Sequence, residues 1–194
     1  NDAAAPTQAL WENVGYDAPA LEDVAIDPDV AVTTILKSAP HASDDQADAK
    51  RTLYRHARLA RKLPLPDFSA EAASAKYEPL SLAQRTGAPI ADILLRLSHL
   101  PNSSDGKDTP DFGMIECDAS GGVLMRKDHR AMTLPKNGGA CPLWPLYRAF
   151  AQPGQPVRAL LETPDGKTLI SYAIAASDEA PAPFGAPPVL RSLM

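Results

Sequence analysis

The sequence predicts an α+β chain: a helical N-terminal half followed by a small antiparallel sheet with one or two covering helices. Three observations predict it. Through residue 100, apolar residues recur at helical spacing between proline and glycine stops. From Phe112 the apolar period changes to two, with turn residues between the runs. Residues 101–111, Pro-Asn-Ser-Ser-Asp-Gly-Lys-Asp-Thr-Pro-Asp, separate the two regimes and read as a linker by composition. The expected organisation is a helical region over 1–100, a linker over 101–111 and an α+β domain over 112–194. A GAF- or PAS-like sensor sheet is the nearest architecture, by analogy alone.

Leu10, Trp11 and Val14 give a short helix closed by Gly15, and 17–26 a second weak piece. Asp27-Pro28-Asp29 is a start signal: a capping carboxylate, a proline where no N–H is needed, and an acid in the first turn. The helix that follows stops before Pro40. Residues 42–62 are the clearest helix, with Ser43 and Gln46 spaced as a capping box. Its apolar side is Leu53, Tyr54, Ala57 and Ala60. Its basic run, Arg51, Arg55, Arg58, Arg61 and Lys62, suits the helix C-terminus and reads as a solvated face, with His56 a surface residue on it. Pro64 and Pro66 form a joint before an Ala-rich helix over 68–75. Residues 80–97 read as helix, tight turn at Gly87, helix. That spacing mimics a helix-turn-helix, but a DNA reader needs polar or basic side chains where its second helix starts. Pro89-Ile90-Ala91-Asp92 stands there instead, so the pair reads as a packing hairpin.

In the second half, strands over 112–118 and 123–127 flank an Ala119-Ser120-Gly121-Gly122 turn, and 132–135 reads as a third short strand. Gly138-Gly139 leads into a helix from Pro142 to Phe150, with Leu143, Leu146, Tyr147 and Phe150 as its apolar face. The free N–H groups at that helix start suit an anion. Val157–Glu162 and Thr168–Ile174 flank an Asp165-Gly166 turn, a hairpin signal. Val189-Leu190 reads as an added edge strand.

With a net charge of −5, the chain lacks the basic footprint of a nucleic-acid reader. No apolar run approaches the ~20 residues of a membrane span, so no membrane partner is expected. Two cysteines make no disulfide framework, which points to the cytoplasm. The chain opens at Asn1 without an initiating Met or a signal peptide and reads as a piece of a longer protein. His41, His56, His99 and His129 are scattered. No His-Glu-x-x-His, Gly-x-x-x-x-Gly-Lys or Gly-x-Ser-x-Gly occurs. An enzyme is not expected.

Phe112-Gly113-Met114-Ile115-Glu116-Cys117-Asp118, then Ser120-Gly121, Arg126-Lys127 and Gly139-Ala140-Cys141-Pro142-Leu143-Trp144, carry a resemblance. They resemble the C-terminal domain of the XRE-type transcriptional regulators called short-chain fatty acyl-CoA regulators. The resemblance covers residues 110–194. It implies the ligand-sensing part of a helix-turn-helix regulator, a short-chain acyl-CoA or related acyl ligand, a homodimer, and DNA contact through a domain upstream of this chain. An anionic ligand wants arginines and helix N–H groups, and an acyl chain wants an apolar slot. The candidate ligand-binding residues are Gly138, Gly139, Cys141, Trp144, Tyr147, Arg148, Arg126 and Cys117. Lys127, Arg130 and Arg158 add charge nearby, and Met114 and Leu124 add apolar lining.

Some members of the resembled family carry an iron–sulfur cluster. Here Cys117 and Cys141, with His129 as a third, would have to hold a cluster or metal, whereas four ligands are usual. The expectation is no cofactor and two buried, hydrophobe-like cysteines. A helix start beside Cys141 would favour its thiolate. The alternative function is a structural dimerisation or interaction module with no small ligand, which a solid interior behind Trp144 and the glycine loop would favour. Direct DNA contact by 80–97 and the basic helix is a third reading.

Overall fold

The computed structural model describes residues 19–38, 46–101, 109–134, 139–177 and 190–193. The helix expected around Leu10, the Ser43 cap and Gly138 lie outside them. Six helices come first: α1 (Pro19–Glu22), α2 (Pro28–Ser38), α3 (Gln46–Lys62), α4 (Leu65–Ser74), α5 (Pro79–Thr86) and α6 (Ile90–Ser98). Asp27 caps α2 as expected, its Oδ1 accepting the Asp29 N–H at 2.8 Å. Leu53 and Ala57 of α3 are buried in one cluster with Val32 of α2, Phe68 of α4, Leu82 of α5 and Ile93 of α6. Gly87 ends α5 with φ 69° and donates its N–H to the Ala83 carbonyl.

The basic run on α3 is a solvated face only in part: Arg58 and Lys62 are exposed, but Arg55 and the neighbouring His56 are not. Arg55 grips the Glu116 carboxylate with two hydrogen bonds of 2.9 and 2.6 Å. Arg61 donates to the Ala57 and Ile26 carbonyls, and Lys62 pairs with Asp92 at 2.9 Å. His56 is only 1% exposed; it stacks on His99 at 4.0 Å and meets the Glu22 carboxylate through Nε2 at 2.8 Å. The correction has a physical reason. Helix α3 has partners on two sides, with α1 and α2 on one and strand β1 on the other, so Arg55 and His56 are enclosed while Arg58 and Lys62 stay exposed.

The second half holds β1 (Met114–Asp118), β2 (Val123–Lys127), α7 (Pro145–Phe150), β3 (Val157–Glu162), β4 (Thr168–Ser177) and β5 (Leu190–Leu193). All pairings are antiparallel, in the order β2-β1-β5-β4-β3. Strand β5 was expected at an edge, yet it is the centre. Two local hairpins, β1–β2 and β3–β4, occupy the outside, and β5 joins their inner edges. Of the strand expected over 132–135, Pro135 lies outside the described residues and 132–134 keep a single His129–Met132 bridge. The chain there folds back onto Asp128, whose Oδ1 accepts the Leu134 N–H at 3.0 Å.

The sheet has two covered faces. Met114 and Met125 point into the helical cluster, and Lys127 on that face donates from Nζ to the Ser98 carbonyl at 2.7 Å. Ile115, Cys117 and Val123 point the other way, onto Leu146 of α7.

Candidate functional site

The glycine loop expected to bind ligand is a packing joint. Gly121 holds φ +84°, and a Cβ there would sit 2.2 Å from the Tyr147 hydroxyl oxygen. That hydroxyl donates to the Ala140 carbonyl at 3.0 Å, and the Ala140 N–H donates to the Gly121 carbonyl at 2.9 Å. Gly139 bridges to Gly122 across the same joint. Burial, with Cys117, Cys141 and Asp118 nearby, pushes the Tyr147 pKa up. Cys117 is fully enclosed, and burial, then Asp118 and Glu116, pushes its thiol up to about 12. It is a hydrophobe-like cysteine, not a nucleophile.

The helix after this loop starts at Pro145, three residues later than Pro142. A proline disfavours helical angles in the residue before it, and Trp144 accordingly takes ψ 152° as the N-cap. Leu143 is therefore left in the turn, 89% exposed, rather than on the apolar face. The helix terminus expected beside Cys141 is not there. Trp144 packs partly buried on the Ile115–Leu146 cluster, and Arg148 is exposed. Arg126 lies on the α7 face of β2, chelating Asp128 at 2.9 and 3.0 Å. The structure thus brings Gly139, Cys141, Trp144, Tyr147 and Cys117 together, while Arg126 and Arg148 stand apart. Among the described residues, no group of three His, Cys, Asp or Glu side chains converges as a metal site.

The large cavity lies elsewhere. It has a volume of about 730 Å³ and sits where the helical half meets the sheet. Of the expected ligand residues it takes only Met114 and Arg158 from the wider set. Strand β5 pairs with β1 over Glu116–Asp118 and with β4 over Ile174–Ser177. The cavity is lined by Gly113–Ile115 on one side and Thr168–Tyr172 on the other. Leu97 and Ser98 of α6 close one face, and Met132 and Leu134 close the other.

The mouth carries charge and strain. Arg158 lies over the Tyr172 ring at 5.8 Å. Burial pushes the Glu78 carboxyl up, but the Ser81 backbone and hydroxyl and the Arg158 charge hold it below the usual range. Lys76 and Tyr77 are consecutive non-glycine residues at positive φ, 53° and 58°. Such backbone persists only where the surroundings over-determine it. Here Tyr77 leans on Phe112 with ring centres 5.9 Å apart, and its N–H bonds the Ala72 carbonyl at 2.7 Å. The strained turn holds Lys76 and Tyr77 at the cavity wall. Sequence reasoning missed this site because a cavity lined from two distant parts of the chain has no local motif; of the residues expected to line an apolar slot, only Met114 lines it.

Residues 104–189 match the family model for the short-chain fatty acyl coenzyme A regulator, C-terminal domain. A propionyl-CoA carboxylase regulator of Cereibacter sphaeroides is 32% identical over 178 residues, which are 91% of this chain and 36% of that protein. The HTH-type transcriptional regulator PrpR of Mycobacterium tuberculosis is 32% identical over 106 residues, 55% of this chain and 21% of its own. The chain therefore spans a minor part of the curated relatives it matches. A solved Mycobacterium tuberculosis transcriptional regulator shares the fold, with a TM-score of 0.64 at 22% identity, covering 92% of this chain and 54% of that one.

Proposed function

Residues 104–189 belong to the C-terminal domain family of short-chain fatty acyl coenzyme A regulators, and from that premise we propose that this chain is the ligand-sensing part of a transcriptional regulator. Its ligand is a short-chain acyl-CoA, and the DNA-binding domain belongs to a region outside these residues. One observation carries the reading: between the family-matched residues and the helical half lies a cavity of about 730 Å³, mostly apolar inside, with cationic side chains at its mouth. That is the size and make-up of a small-molecule site. The acyl group takes the apolar depth near Leu97, Met114 and Phe112, and Lys76 and Arg158 meet phosphates at the mouth. The protein acts in the cytoplasm, as a homodimer, without enzymatic activity. A boundary within 101–111 separates the helical region from the sensing domain in sequence.

The cavity wall is shared between the halves, so an occupant touches both α6 and β4. A ligand with different affinity for two arrangements of these halves shifts their populations, which is how it would reach DNA binding.

The packed interior behind Trp144 favours a structural role for that joint, and the ligand is therefore assigned away from it. A thermal-shift series with acetyl-, propionyl- and butyryl-CoA, and free CoA as control, tests the reading. Ligand at 100 times its dissociation constant adds about 2.7 kcal/mol, or about 5–10 °C for a chain of this size. A rise that depends on acyl length, and that shrinks in Arg158→Ala, is the expected result. No shift with any acyl-CoA would remove the proposal.

A further inference from the structure

Strand β3 ends the sheet, with β4 on one side and no strand on the other among the described residues. It pairs with β4 in unbroken register, from Val157 with Ala173 to Glu162 with Thr168. The Thr163 N–H carries that ladder on to the Lys167 carbonyl at 2.8 Å. In an antiparallel ladder, alternate residues turn their backbone groups toward opposite neighbours. Thr163 and the odd-numbered residues of β3 therefore face β4. Arg158, Leu160 and Glu162 turn their N–H and C=O to the open edge. The side chains of these three residues share one face of the sheet, and all three are exposed, Leu160 at 68%. Ile170, opposite Leu160 on β4 and on the same face, is 57% exposed.

An open edge is a template for another strand, and folded proteins usually guard it with a bulge, a proline or repelling charges. Strand β3 has no such guard. Its register carries no bulge, and Pro156 and Pro164 flank it rather than interrupt it. Its two charges are opposite in sign and stand symmetrically about Leu160. We propose that β3 pairs antiparallel with β3 of a second copy of this chain, about a two-fold axis at Leu160. The inference rests on the homodimer reading above and gives that dimer its surface. With Leu160 opposite the partner's Leu160, Arg158 meets the partner's Glu162 and Glu162 meets the partner's Arg158. The residues whose backbone groups face outward become the hydrogen-bonded pairs of the new ladder. Ile170, Leu160, the partner's Leu160 and the partner's Ile170 form one apolar row across the joined sheets. The register is specified as well. Sliding it by two residues sets a charge against Leu160, and sliding it by four sets like charges together. This self-complementarity selects a second copy over an unrelated strand. Arg158 also lines the cavity, and a guanidinium has donors enough for a carboxylate on one side and a ligand on the other.

Sedimentation equilibrium on the 194-residue chain, over a concentration series, tests the pairing. The wild type is expected to show a monomer–dimer equilibrium. Arg158→Glu and Glu162→Arg should each weaken it by at least about tenfold, because the two-fold axis applies every like-charge clash twice. The double variant Arg158→Glu/Glu162→Arg should associate as the wild type does. So should an equal mixture of the two single variants, one presenting two carboxylates and the other two guanidiniums. The replaced side chains are exposed, so the variants should keep the wild-type circular dichroism. A dimer that persists in both single variants overturns the β3 edge and leaves a homodimer through another surface standing. Dissociation that neither the double variant nor the mixture rescues overturns the charge pairing that defines the register. A wild type that stays monomeric throughout overturns both the surface and the homodimer reading for this chain.

Discussion

Arg96 is fully buried, with Nε donating to the Leu63 carbonyl and both terminal nitrogens on the Glu22 carboxylate. A buried guanidinium is tolerable only with its anion, so Glu22→Gln is expected to lower stability by about 3 kcal/mol, read by urea unfolding at pH 7. The pair also sets an acid limit. Burial raises the Glu22 carboxyl, but Arg96 and His56 win and bring it from 4.5 to about 2. Its folded pKa lies below the unfolded one, so the stabilisation is full above about pH 4.5 and fades as pH falls toward 2. Glu22→Gln should flatten the wild-type loss in that window. His99 acts in a milder range. Burial, then His56, Arg96, Arg55 and Lys127, holds its pKa well below 6.5. The unfolded chain takes a proton that the folded chain refuses, so stability should begin to fall as pH drops below about 6.5, and His99→Phe should remove that part. Two glycines separate strain from space. Gly87→Ala meets nothing within 4 Å and pays only for its φ, about 1 kcal/mol. Gly121→Ala also strikes the Tyr147 hydroxyl and should cost about 3 kcal/mol, with part recovered in the Gly121→Ala/Tyr147→Phe double variant. Thermal denaturation distinguishes the two.

At the scale of elements, the turn between α4 and α5 is where stability and binding should conflict. Lys76 is exposed and held at φ 53°, so Lys76→Gly should raise stability by up to about 1 kcal/mol while weakening acyl-CoA, as calorimetry would show. Elements governed by local chemistry were legible in the sequence. Asp27-Pro28-Asp29 marks the start of α2, Gly87 the hairpin turn, and Asp165-Gly166 the β3–β4 turn, and each stands where its residues require. Elements governed by partners were not. Arg55 and His56 look like surface residues until β1 and α6 arrive, and Leu190–Leu193 carries nothing in four residues to say that it is central. Trp144-Pro145 was legible in principle: the restriction on the residue before proline outweighs the preference of Pro142 for a helix start. The stretch expected to bind ligand drew attention through Cys141 and Trp144, yet Trp144 packs on the sheet, and the open volume lies where the two halves meet, which no local residue pattern announces.

For the whole molecule, the helical half and the sheet are packed against each other. Met114 and Met125 of the sheet complete the helical cluster, Glu116 is clasped by Arg55, and Lys127 reaches the Ser98 carbonyl. One cooperative unfolding transition is expected by both far-ultraviolet circular dichroism and tryptophan fluorescence. Residues 112–194 expressed alone should be unable to hold Glu116 and Lys127 in an apolar surface, and should lack a cooperative transition.

The position of β5 bears on how the chain reaches this state. Hairpins β1–β2 and β3–β4 close over short sequence separations, whereas Leu190–Leu193 must return to pair with Glu116–Asp118 from some seventy residues away. Such a closure is slow, because loop entropy is spent before the contact forms. The hairpins would thus form early and wait, and the sheet would become continuous only in the final step. Substitutions that weaken the β5 ladders should then speed unfolding and leave the folding rate nearly unchanged.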